Sequence, residues 1–108
     1  MKSVFLNRKK RSREEIIASI LLSAKNGATK TGIMYANYLS FSQLNKYLGF
    51  ALATETLYVE QKTGKYVTTS KGIEYLKRFQ DVNSIENHAI EKRKLLSDLL
   101  TDKNLPVR

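Results

Sequence analysis

The chain has 108 residues, a mass of 12.4 kDa, 42% hydrophobic residues and a formal net charge of +9. This is one domain, or a small domain with an appendage, able to bury one modest core. It contains no cysteine and no run near the roughly 18 apolar residues of a membrane span, which excludes disulfide frameworks, thiolate metal sites and membrane-spanning helices. The start lacks a long apolar signal region, so the expected location is cytoplasmic, with no membrane partner.

A charge of +9 points to polyanions as partners. The excess is uneven: Lys2, Arg8, Lys9, Lys10, Arg11 and Arg13 all precede the first acid, Glu14. Residues 1–11 show no sustained periodicity and read as a basic flexible arm that can follow a phosphate backbone. A folded domain is expected over residues 12–78, a C-terminal helix for dimerisation over 79–103 and a disordered tail over 104–108.

Ser12 and Glu15 form a capping box, and Ile16, Ile17, Ile20, Leu21 and Ala24 then recur as one apolar stripe. A first helix is predicted from Arg13 to about Asn26, with Gly27 just beyond it, where a left-handed residue is usual. Thr29 can cap a short second helix, Lys30 to Asn37, with Ile33, Met34 and Ala36 inward. Tyr38 and Leu39 leave a tight connection to Ser40, which with Gln43 forms a second capping box. In the third helix Phe41, Leu44, Tyr47, Leu48, Ala51 and Leu52 fall on one side, with Ser42, Gln43, Lys46, Gly49 and Phe50 opposite and Asn45 on the flank. Amide, hydroxyl and ammonium groups of this kind bond to base edges and phosphates in a major groove. Two helices joined by so short a turn are a helix-turn-helix candidate.

After Leu52 the period changes from helical to alternating. Leu57 to Lys62 and a return through Tyr66 and Val67 enclose a Thr63–Gly64 turn, giving a hairpin whose tip carries Lys62 and Lys65. From Thr69 a helical period returns, with Tyr75, Phe79, Val82, Glu86, Ala89, Arg93, Leu96 and Leu100 spaced by fours and threes. This is a heptad-like seam with two charged positions. A continuous helix from Ser70 to Asp102 would be roughly 50 Å long, more than so small a domain can cover. Self-association is the economical way to bury Phe79, Val82, Ala89, Leu96 and Leu100, whether the helix is continuous or broken near Asn83 and Ser84.

The fold class is thus mainly α with a small β-hairpin (α+β): a winged helix-turn-helix followed by a long C-terminal helix. The runs GATKTGIMYANYLSFSQLNKYL and TGKYVTTSKGIEYL resemble the archaeal winged-helix DNA-binding proteins, both the ArnR-like regulators and the ten-kilodalton chromatin-type proteins with a winged helix and a long C-terminal helix. The resemblance runs over about Arg13 to Phe79. It implies a homodimer that binds double-stranded DNA, its C-terminal helices pairing, usually antiparallel. Carried over by position, Ser42, Gln43, Asn45 and Lys46 face the groove, Lys30 and Thr31 meet phosphate, and Lys62 and Lys65 lie on the wing. The function expected is transcriptional regulation or nucleoid association; a protein-interaction module is the alternative, since winged helices also serve as scaffolds.

No other chemistry competes. His88 is the only histidine and reads as a solvated helix position, so no metal is expected. No nucleophile elbow, phosphate loop or carboxylate pair is present, and neither an enzyme, a cofactor nor a small-molecule ligand is expected. The six tyrosines are scattered over different elements and read as boundary packing residues rather than a base-stacking surface.

Overall fold

The computed structural model describes residues 11–101. Four helices and one hairpin follow in the order α1 (Arg13–Ser23), α2 (Lys30–Ala36), α3 (Phe41–Ala53), β1 (Leu57–Val59), β2 (Tyr66–Thr68) and α4 (Ser70–Asp98). Both predicted capping boxes form: Ser12 with Glu15 opens α1, and Ser40 with Gln43 opens α3. Thr29 and Thr69 cap α2 and α4 through their hydroxyls, each accepting from the N–H of a glycine three residues on. The first helix stops three residues short of the expected Asn26, and a turn carries the chain to Gly27, whose φ is +96°.

One core joins these elements. Ile16, Ile17, Ile20, Leu21 and Ala24 of α1 are all buried, as their stripe predicts, and meet Ile33 from α2, Leu44, Leu48 and Ala51 from α3, Leu57 from β1 and Leu76 from α4. Ile20 and Leu21 have no exposed surface at all, a gain of about 1.5–3 kcal/mol each. Leu57 pairs with Thr68 and Val59 with Tyr66 in the antiparallel hairpin. Ala28 forms an isolated bridge to β2 by exchanging both backbone hydrogen bonds with Tyr66, which ties the α1–α2 connection to the wing.

The two turns that bracket α3 have the same construction. After α2, the Leu39 N–H donates to the Met34 carbonyl and the Tyr38 N–H to that of Tyr35; after α3, the Thr56 N–H donates to Ala51 and the Glu55 N–H to Leu52. These are Schellman closures, but the left-handed position holds Tyr38 (φ +55°) in one and Glu55 (φ +63°) in the other, where glycine is usual.

Helix α4 is a single unbroken rod of 29 residues through Asn83 and Ser84. Gly72 and Leu76 are buried, Ile73, Tyr75 and Phe79 pack half-buried on the core, and from Gln80 onward every described residue is exposed. Tyr75 also ties α4 to α1, its hydroxyl donating to the Glu14 carbonyl at 3.2 Å. Burial pushes this phenol above its ordinary pKa, and the Glu14 carboxylate adds to the effect.

Candidate nucleic-acid interface

Helix α3 presents Ser42, Asn45, Lys46, Gly49 and Ala53 to solvent on the side away from Leu44, Leu48 and Ala51. Gln43 is exposed as well, but its Oε1 accepts from the Ser40 N–H at 3.0 Å, so only its amide N–H groups are free to donate outward. The Ser42 hydroxyl lies 3.4 Å from that of Ser40. Two expected inward residues point elsewhere: Phe41 is 64% exposed and Leu52 37%. At the first helical position no preceding turn exists for Phe41 to fold back on, and its ring lies on the surface instead.

That ring has a partner. The Lys30 ammonium, from the start of α2, sits 5.2 Å from the Phe41 centroid, and Thr31 beside it is exposed. Lys46 lies 5.4 Å over Tyr47, and the Arg13 guanidinium, from the start of α1, lies 4.6 Å over Phe50. Three cations from three helices are therefore placed along α3 by aromatic rings at positions 41, 47 and 50, a span of about 13 Å at 1.5 Å per residue. Each contact is worth only about 0.5–1 kcal/mol at an exposed site. Its effect is to restrict a long side chain without neutralising it, leaving the charge free for an anion.

Of the arm, Arg8, Lys9 and Lys10 lie outside the described residues. Arg11 is half-buried, and its Nη1 donates to the Asn37 carbonyl at 2.9 Å, so the root of the arm is fixed to the α2–α3 turn. Asn37 itself is buried: its Nδ2 donates to the Ile33 carbonyl at 2.8 Å and to Ser23 Oγ at 3.1 Å, while Ser19 Oγ donates to its Oδ1. This network locks the α2–α3 turn to α1. No local sequence pattern marks Asn37, because only the tertiary packing brings Ser19 and Ser23 beneath it.

On the wing, Lys62 and Lys65 are both exposed. The tip between them is organised by Glu60, whose carboxylate accepts from the Thr63 hydroxyl at 2.6 Å and its N–H at 3.1 Å. Gly64 follows at φ +73° and donates to the Glu60 carbonyl. These contacts, the Thr63 hydroxyl foremost, hold the Glu60 carboxyl below the ordinary carboxylate pKa.

A family profile described as winged helix-turn-helix matches residues 10–87. The chain belongs to this winged helix-turn-helix family. Among solved structures, Sso10a-2, a DNA-binding protein from Sulfolobus solfataricus, shares the fold with a TM-score of 0.76 at 20% identity, over 86% of this chain and 100% of that one. No curated protein sequence matches. In this winged helix-turn-helix chain α2 and α3 are the helix-turn-helix pair and β1–β2 the wing. The tyrosines depart from the packing role expected of them: Tyr35 is 70%, Tyr38 66% and Tyr58 47% exposed, while Tyr47, Tyr66 and Tyr75 do pack against the core.

Proposed function

We propose that the protein binds double-stranded DNA as a homodimer, acting in the cytoplasm as a transcriptional regulator or a nucleoid-associated protein. The observation that carries this reading is the line of three ring-held cations, Arg13, Lys30 and Lys46, along a capped helix whose outward face offers Ser42, Gln43 and Asn45. Helix α3 enters the major groove, its few polar groups touching base edges while the cations meet phosphates on either side. The wing lysines Lys62 and Lys65 and the arm residues Arg8, Lys9 and Lys10 extend the phosphate contacts, with Arg11 at the root of the arm and Thr31 beside Lys30 at the start of α2. DNA binding by Sso10a-2, which has this fold, supports the same assignment. Gly49 and Ala53 at the far end of the face add no hydrogen-bonding group, so the helix orients the protein on DNA more than it reads a long site.

The dimer reading rests on α4. Val82, Ile85, Leu96, Leu99 and Leu100 are 52–87% exposed, and every described residue past Phe79 is exposed. Pairing with a second copy covers them, together with Phe79 and Ala89, and sets two winged helices at the ends of one rod, able to contact two half-sites or two duplexes.

The test is binding of a labelled duplex across a salt series. Affinity is expected to fall linearly on a log–log plot as counterion release is lost; absent or salt-insensitive binding would refute the DNA reading. Light scattering of the chain truncated after Phe79 should show a monomer, and a persisting dimer would move the interface off α4. A genome-wide map of bound sites separates the two roles, discrete peaks marking a regulator and broad coverage a nucleoid protein.

A further inference from the structure

Three aromatic rings stand exposed around the α2–α3 turn, at a corner where Ile33 and Leu39 already supply the core. Tyr35 near the end of α2, Tyr38 in the turn and Phe41 at the start of α3 are 70%, 66% and 64% exposed. The Tyr38 N–H donates to the Tyr35 carbonyl, and at most about 10 Å of chain separates Tyr38 from Phe41. The rings are therefore grouped on one corner, and burial accounts for none of them.

Tyr38 is also held against its own backbone preference. At φ +55° a β-carbon is crowded, and glycine or asparagine is the usual occupant. Its neighbours impose the conformation. The Leu39 N–H closes on the Met34 carbonyl, Arg11 donates to the carbonyl of the Asn37–Tyr38 peptide, and the Asn37 amide is anchored in the interior. A bulky ring kept in a strained position, with little burial in return, marks a surface that makes a contact.

Charge selects what it contacts. No acid occurs between Glu15 and Glu55, so neither helix of the pair carries a carboxylate. The Lys30 ammonium lies 5.2 Å from the Phe41 ring, and Arg11 borders the Tyr38 peptide. Flat rings edged by cations and free of acids match a polyanion that has π faces of its own, its bases stacking on the rings while its phosphates meet the cations. Inside an intact duplex those faces are covered by neighbouring bases. We propose that this aromatic corner is a binding site for unpaired DNA bases, with Tyr38 as the stacking surface and Tyr35 and Phe41 on either side. The inference rests on the DNA reading above and narrows it. Phe41 lies one turn ahead of Asn45 on the same flank of α3, so the corner continues the groove-facing surface, and the preferred ligand is a duplex interrupted by unpaired bases.

The test compares affinities of the full chain for a fully paired duplex and for the same duplex carrying a short central bulge. The bulged DNA is expected to bind about fivefold more tightly or better. This preference should persist as salt is raised, because stacking, unlike phosphate contact, releases no counterions. Tyr38→Gly is expected to bring the bulged DNA down to the affinity of the paired duplex while keeping or raising the Tm, since glycine is free of strain at this φ. Tyr38→Phe retains the ring and should retain the preference. Equal binding of the two DNAs, or a preference that vanishes with salt or survives Tyr38→Gly, would overturn the inference and leave the DNA reading standing; binding to neither DNA would overturn both. A lower molecular mass for Tyr38→Gly by light scattering would give the corner to a protein contact, and a marked fall in its Tm would give the ring to the fold; either would overturn the inference.

Discussion

Gly72 lies in the first turn of α4, packed against Thr56 and Thr68, and its replacement by alanine isolates how tightly helix and hairpin are fitted. A Cβ built there lies 2.5 Å from Thr68 Cγ2 and closer still to the Thr56 carbonyl oxygen. Neither obstacle can turn aside freely. The Thr56 carbonyl accepts from the Thr69 N–H at 3.0 Å, and the Thr68 hydroxyl donates to the Leu21 carbonyl at 2.6 Å, which fixes its methyl group. Helix α4 must therefore lift, loosening Leu76 and Ile73 from the core, an overpacking cost of about 1–3 kcal/mol. Alanine regains at most about 0.5–1 kcal/mol of helix propensity. The net loss of about 1–2 kcal/mol corresponds to a fall in Tm of about 4–16 °C for a domain of this size. Gly49→Ala is the control: nothing lies within 4 Å of its built Cβ, so propensity alone should raise Tm by a few degrees, about 0.5–1 kcal/mol. Thermal melts followed by circular dichroism measure both. If Gly72→Ala melts at or above the parent, or if the two variants shift alike, the close fit of α4 on the hairpin is wrong.

Three further outcomes follow from the same geometry. Asn37→Ala removes a buried amide that serves Ser19, Ser23 and Ile33, and should cost about 1–3 kcal/mol in chemical denaturation; additivity with Ser19→Ala would show that the two are uncoupled. Lys46→Ala should leave Tm within about 0.5 kcal/mol equivalent while weakening DNA binding and lowering the salt slope by about 1; an unchanged slope would place the phosphate contact elsewhere. Glu60 has a folded-state pKa below its unfolded value, so its hold on the wing tip is complete above the unfolded value and is lost as pH falls through the folded one. An NMR titration of the Thr63 amide should show that low midpoint, and Glu60→Gln should abolish it; a midpoint in the ordinary carboxylate range would contradict the Thr63 hydrogen bonds.

Much of the fold is legible in local patterns. Both capping boxes, the α1 stripe from Ile16 to Ala24 and the hairpin around Gly64 are signals spread over a few residues, and each determines its element through backbone groups that must be satisfied or apolar groups that must be buried. The turns are less legible, because Tyr38 and Glu55 hold left-handed positions with no glycine to announce them. Helical periodicity places Phe41 inward, but periodicity describes a helix interior and says little about its first residue, and the ring is exposed. Arg13, Lys30 and Lys46 are legible as cations, but their placement along α3 depends on packing that brings the starts of α1 and α2 against Phe50 and Phe41 of α3.

By itself, then, the sequence determined which segments are helix or strand, which faces are apolar and that the surplus charge is positive, because these follow from spacing and composition. Tertiary structure alone decided which side chains meet. It set Asn37 over Ser19 and Ser23 and engaged Arg11 with the α2–α3 turn. Contacts between residues distant in the chain arise only when the core closes and places their elements side by side.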